Sequence, residues 1–133
     1  LRKFLLDTNI CIYLLKGLYH LDKKIDQVEL VNCFLSEITV AELKFGAENS
    51  LDKEKNRKIV EEFISRFAII PIFGALDIYA KEKARLRRNG IPLDDFDLLI
   101  GATALSNNLI LVTRNVSDFE RMDSIEIENW IKD

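Results

Sequence analysis

The sequence predicts an α/β protein, a three-layer α/β/α sandwich around a central, mainly parallel sheet of four to five strands. Three observations support this. Short apolar runs alternate with amphipathic helical stretches from end to end, the pattern of a parallel sheet covered on both faces. The 133 residues fit one domain, since domains most often hold roughly 100–150 residues. Finally, no repeat, low-complexity tract or linker interrupts residues 1–133, and only five glycines and two prolines punctuate them.

Taken in order, Lys3–Leu6 is a short apolar run that reads as a buried strand. Asp7-Thr8-Asn9 suits a turn and a helix cap, and Ile10–Lys16 is the helix it opens, with Gly17 as the stop. Leu18–Leu30 reads as a second helix, with Leu18, Leu21, Ile25 and Val28 on one face. Val31–Leu35 is the second strand. Thr39–Asn49 is a helix in which Thr39 and Glu42 have the spacing of a capping box. Asp52–Phe67 is amphipathic, with Ile59, Phe63 and Phe67 on its buried side. Ala68–Ile72 is a third strand, and Leu76–Arg88 a helix that stops near Asn89-Gly90. Pro92 and Asp94 introduce the apolar helix Phe96–Leu105, with Asp94 or Asp95 as its cap. Leu109–Thr113 is the fourth strand and Ile125–Ile127 a short fifth.

Composition narrows the class. A 48% hydrophobic and 31% charged chain is ordinary for a soluble globular protein, and no segment approaches the ~18 apolar residues of a membrane span. The apolar run after Leu1-Arg2-Lys3 is too short for a signal-peptide core, and no small-residue cleavage site follows it. Cys11 and Cys33 are too few and too far apart for a disulfide scaffold or a zinc knuckle. Both lie in apolar runs and read as buried small hydrophobes, so the expected compartment is the reducing cytoplasm. A net charge of -3 gives no general attraction to nucleic acid.

The chemistry lies in the acids. In an open parallel sheet, ligands bind beyond the carboxyl ends of the strands. Asp7 and Asn115 follow strands, and Glu42 and Asp97 are placed in the first turns of helices that can start at the same edge. Asp7 also reads as a plain helix cap, Glu42 as part of a capping box and Asp97 as a helix-dipole carboxylate. Yet Asp7 ends a buried run, where a lone carboxylate is costly, and Asp97 runs straight into Leu98-Leu99-Ile100. Three converging carboxylates repel one another, and a hard divalent cation relieves that repulsion. An oxygen-only set without His or Cys suits Mg²⁺, with Mn²⁺ as a substitute, rather than Zn²⁺. The lone histidine, His20, lies far from these motifs and reads as structural.

Four segments in order resemble the PIN-domain family, and closely the VapC toxins of toxin–antitoxin pairs. They are Phe4–Tyr13 around Asp7, Ser36–Leu43 with Gly46-Ala47 around Glu42, Phe96–Ala104 around Asp97, and Leu111–Asn115 with Asp118-Phe119. The closing Ile127-Glu128-Asn129-Trp130 resembles the family's tail. The resemblance implies a metal-dependent endoribonuclease that arrests growth by cutting RNA, transfer RNA among the usual targets. It also implies a homodimer, held inactive by a cognate VapB-like antitoxin. Carried over, Asp7, Glu42 and Asp97 are metal-binding catalytic carboxylates and Asn115 is the fourth catalytic position. Many members carry an acid where Asn115 stands, so Asp118 is the alternative source of a fourth carboxylate. Thr113 and Arg114 directly precede Asn115, and Arg114 is a candidate substrate contact. Lys81, Arg85 and Arg88 have the spacing of one basic stripe, read as a solvated face, with RNA contact as the alternative.

Two other classes fit the motifs less well. A non-catalytic PIN-like RNA-binding module would be expected to have lost one or more of the first three acids, and all three are here. A receiver domain needs an acidic pair after its first strand and a lysine after its last. A dehalogenase-type phosphatase needs an Asp where Asn9 stands.

Overall fold

The computed structural model describes residues 2–131. Its sheet has five strands: β1 (Phe4–Leu6), β2 (Cys33–Ser36), β3 (Ala68–Ile70), β4 (Ile110–Val112) and β5 (Ile127–Glu128). They lie in the order β3-β2-β1-β4-β5, and every neighbouring pair is parallel. The chain moves outward from β1 through β2 to β3, then returns to the other side of β1 as β4. That reversal opens a crevice at the carboxyl ends of β1 and β4.

The central strands β1 and β4 are apolar on both sides because both are covered. Side chains alternate across a strand, so Phe4 and Leu6 face one core layer and Leu5 the other. Helices α1 (Thr8–Leu15), α2 (Leu21–Val28) and α4 (Lys53–Ser65) cover the first face, contributing Ile10, Leu21, Ile25, Val60 and Phe63. Helices α5 (Leu76–Arg88), α6 (Asp95–Ser106) and α7 (Val116–Phe119) cover the second, contributing Leu86, Leu98, Ile100 and Phe119. Helix α3 (Glu37–Glu48) spans both, with Leu43 and Ala47 in one layer and Ile38 in the other. Cys11 and Cys33 are buried and unpaired, as expected of small core residues.

Several local expectations need correction. Residues 18–30 do not form one helix. Tyr19 (φ 59°) and His20 (φ 54°) are left-handed, α2 starts at Leu21, and Leu18 is 42% exposed. Helix α1 ends in a Schellman turn, in which Gly17 N–H donates to Leu14 O at 3.1 Å and Leu18 N–H to Tyr13 O at 3.0 Å. Gly17 takes φ 69°, which is why glycine stops the helix there. The second strand begins at Cys33 rather than Val31, because Leu30–Asn32 forms a 3₁₀ turn. Ile59 is 41% exposed, and Val60 takes the inward position on α4.

The capping box also fails. Buried Ser36 caps α3, its Oγ accepting from Ile38 N–H at 3.0 Å, so the helix starts at Glu37. Thr39 is then inside the helix and Glu42 lies in its second turn. The basic stripe of α5 is broken as well. Arg85 turns in to Glu82 at 2.6 Å and donates to Arg121 O, and Lys83 pairs with Asp95 at 2.7 Å. The fifth strand is Ile127–Glu128, paired with the carboxyl half of β4.

Candidate metal centre

Asp7 follows β1 directly, and its backbone N–H donates to Val112 O at 2.9 Å, fastening it across the switch point. Asp7 is 3% exposed, and each of its carboxylate oxygens accepts one hydrogen bond, which leaves lone pairs for a cation. Oδ1 accepts from Thr8 N–H at 2.8 Å, which caps α1, and Oδ2 accepts from the Thr113 hydroxyl at 2.7 Å. Asp7 is therefore both a cap and a member of the cluster. Glu42 approaches from α3. Thr8 Oγ1 donates to Glu42 Oε1 at 2.7 Å, so the residue beside one acid holds another. Having spent its proton on Glu42, the Thr8 hydroxyl must accept from Thr39 Oγ1, 3.0 Å away. Thr39, fully buried, thus orients Thr8, which orients Glu42.

Asp97 enters from the first turn of α6, whose cap is Asp94, its Oδ2 accepting from Phe96 N–H at 3.1 Å. Burial pushes the Asp97 carboxyl up to about 6, and the charges of Asp7, Asp94, Glu42 and Asp118 push the same way. Burial also raises Asp7, against the lowering effect of its bonds from Thr113 and Thr8, with Glu42 adding to the rise. Residues 7, 42 and 97 are thus close enough to feel one another's charge. The cluster is electrostatically unfavourable by itself, which is the condition a cation relieves.

The donor set fits a hard, hydrated ion. It is all oxygen, and the nearest sulfur chemistry is inert: burial holds the Cys11 thiol far above its usual range. Asn9 Oδ1, two residues from Asp7, is the one buried side-chain polar atom without a hydrogen-bond partner among the described residues. Among those residues, no three acid, His or Cys side chains stand close enough to grip one ion together. Mg²⁺ does not need such a cage, since it usually keeps several waters and takes one or two carboxylates.

The other expected positions gather at the same edge. Thr113 is fully buried; besides donating to Asp7, its Oγ1 accepts from Asn115 N–H at 3.0 Å. Asn115 is exposed at the start of α7. Asp118, one turn on, lies 3.6 Å from the Arg121 guanidinium while still adding to the field at Asp97. Arg114 is exposed and its Nη1 donates to the hydroxyls of Tyr13 and Tyr19, both at 3.2 Å. His20 is exposed in the turn before α2. Sequence reasoning missed the supporting hydroxyls of Thr8 and Thr39. The signal was there in part, since Thr39 and Glu42 lie three apart on one helix face.

No helix among the described residues is long and apolar enough to cross a membrane. The PIN-domain family profile matches residues 4–125. The chain is 37% identical over 129 residues to the tRNA(fMet)-specific endonuclease VapC of Salmonella typhimurium, covering 96% of this chain and 98% of that one. It is 34% identical over 134 residues to ribonuclease VapC2 of Rickettsia felis, covering 97% and 98%. In three dimensions it matches the crystal structure of DNA-bound VapBC from Salmonella typhimurium with a TM-score of 0.91 at 37% identity, covering 98% of this chain and 99% of that one. VapBC-1 of nontypeable Haemophilus influenzae matches with a TM-score of 0.87 at 33% identity, over 97% and 98%. With the acids at the switch point of a parallel sheet and relatives matched over nearly their whole length, the chain belongs to the PIN-domain family and is similar within it to the VapC ribonucleases.

Proposed function

We propose that this protein is a divalent-metal-dependent endoribonuclease and the toxin of a toxin–antitoxin pair, acting in the cytoplasm as a homodimer, with residues 1–133 as one PIN domain. The observation that carries this reading is the convergence of Asp7, Glu42 and Asp97 at one crevice, each raising the electrostatic cost of another. Mg²⁺ is the expected ion and Mn²⁺ a substitute. The relatives named as ribonucleases, one of them specific for tRNA(fMet), support RNA as the substrate and make transfer RNA the first target to test.

When bound, a divalent ion supplies positive charge for the scissile phosphate and makes an attacking water more acidic. The chain's own residues would do the rest. Asp7, pinned by Thr113 and Thr8, offers a carboxylate that cannot swing away. Glu42, oriented by Thr8, and Asp97, on the rigid first turn of α6, would complete the oxygen set. Asn115 would orient a water through its neutral amide, with Asp118 one turn away as the alternative.

The VapBC crystal structures support a VapB-like antitoxin as partner. An apolar groove lined by Ile12, Leu43, Ile59 and Val60 runs from Glu42 between α1, α3 and α4, and would seat an amphipathic segment. A basic side chain carried on that segment could enter among the carboxylates and compete with metal for their charge. The direct test is cleavage of transfer RNA and bulk RNA with Mg²⁺, with Mn²⁺ and with EDTA, for the parent and for Asp97→Asn. Loss of cleavage in EDTA and in the variant is expected; full activity in EDTA would overturn the mechanism.

A further inference from the structure

Next in the chain to Thr113, whose hydroxyl holds Asp7, Arg114 forms an assembly with Tyr13 and Tyr19 that the metal chemistry does not use. The two tyrosine rings meet edge to face, with centroids 5.2 Å apart at 86°. The Arg114 guanidinium stands 5.6 Å from the Tyr13 centroid and 5.4 Å from that of Tyr19. Its Nη1 donates to both hydroxyls at 3.2 Å. Tyr13 comes from the last turns of α1, Tyr19 from the turn after it, and Arg114 from the loop after β4. Three separated parts of the chain are therefore spent on holding one cation against two rings at the surface.

The core does not need Arg114 or Tyr19. Tyr13 packs against the first core layer, but Arg114 is exposed and Tyr19 is 38% exposed, so those two add little buried apolar area. The position of the assembly is what matters. Arg114 adjoins both Thr113, whose hydroxyl holds Asp7, and Asn115 at the mouth of the crevice. A strand of RNA reaching the acids must present neighbouring nucleotides there. A preset cation meets the phosphate, and an exposed aromatic ring meets an unpaired base, the two elements of a single-strand stacking platform. The geometry points to Tyr13, Tyr19 and Arg114 as a nucleotide subsite that seats an unpaired base on Tyr19 and its phosphate by Arg114. Tyr13 is the positioning residue that holds the guanidinium. The inference rests on the ribonuclease reading and deepens it.

The test measures binding without cleavage. Fluorescence anisotropy in EDTA compares a fluorescein-labelled 12-nucleotide single-stranded RNA of mixed sequence with an abasic ribose-phosphate strand of equal length. Base removal should weaken the parent about tenfold, since stacking of one base is worth about that much. Tyr19→Ala should weaken the intact RNA by about the same factor and the abasic strand much less, since Tyr13 still holds the guanidinium, while Tyr19→Phe keeps the base preference. Arg114→Gln should weaken both strands and lower the salt dependence by about one ion. A parent indifferent to the bases, or a Tyr19→Ala loss equal on both strands, would overturn the subsite. Unchanged RNA binding would overturn it too, whatever the variant does to antitoxin binding. A parent that cuts no RNA with Mg²⁺ or Mn²⁺ fails the ribonuclease reading instead, which keeps the two failures apart.

Discussion

Replacing Asp97 by Asn should make the metal-free protein more stable at neutral pH while abolishing cleavage. Burial and four neighbouring acids raise the Asp97 carboxyl from its ordinary 3.8 to about 6. At about 1.4 kcal/mol per pH unit, that is about 3 kcal/mol of charge penalty. Asp97 is only partly buried, so solvent screening reduces this to about 1–2 kcal/mol. Loss of the favourable charge at the N-terminus of α6 takes back about 0.5 kcal/mol. The net gain is about 1 kcal/mol, or about 3–5 °C in Tm. The sign follows from the raised value. The penalty is absent below the unfolded value of 3.8, grows through the window up to about 6, and is complete above it. Urea denaturation in EDTA should therefore give equal stabilities near pH 4 and a more stable variant at pH 7. Added Mg²⁺ should favour the parent, because ligand binding stabilises the state that binds it. A variant no more stable than the parent at pH 7, or one that still cuts RNA, would refute the account.

Asn115→Asp adds a charge near the ion; at about 4 Å and an effective dielectric of about 20 the pair is worth about 4 kcal/mol. Repulsion and desolvation should leave about 1 kcal/mol, a severalfold tighter Mg²⁺ affinity by calorimetry. A large loss in Asp118→Asn with no gain in Asn115→Asp would move the fourth position to Asp118. Thr39→Val removes the donor that orients Thr8, leaving the half-buried Thr8 hydroxyl short of one bond at a cost of about 1 kcal/mol. Mn²⁺ affinity should fall with stability, and Thr39→Ser should restore both. A Cβ at Gly101 would lie 2.3 Å from buried Met122 Sδ, so Gly101→Ala should destabilise by about 1 kcal/mol or less in denaturation, the flexible thioether giving way against a gain in helix propensity, and the effect should be smaller still when measured in a Met122→Ala background. Light scattering of the isolated chain should show a dimer at micromolar concentration; a clean monomer would contradict the homodimer.

Much of this architecture was legible because its signals are local. The apolar runs that became β1 and β4 are buried on both faces, and their composition follows from that alone. Gly17 and Asp94 were readable as a stop and a cap because the turn geometry needs those residue types. The errors share one cause. A capping box, a helical face and a basic stripe are patterns over a few residues, and distant groups can claim the same atoms. Ser36 took the cap from Thr39, Tyr19 and His20 broke the second helix, and Glu82 drew Arg85 out of its stripe.

Sequence by itself determined the layer architecture, the apolar strands and the choice of oxygen donors for a site, because burial on both faces and residue chemistry are written position by position. Tertiary structure decided the strand order and the switch point between β1 and β4. It also decided the hydroxyl chain from Thr39 through Thr8 to Glu42 and the seating of Arg114 on two tyrosines. Those contacts join residues about 30 to 100 positions apart. They exist only once the sheet has brought the ends of distant strands to one edge, and no local pattern encodes which groups will meet there.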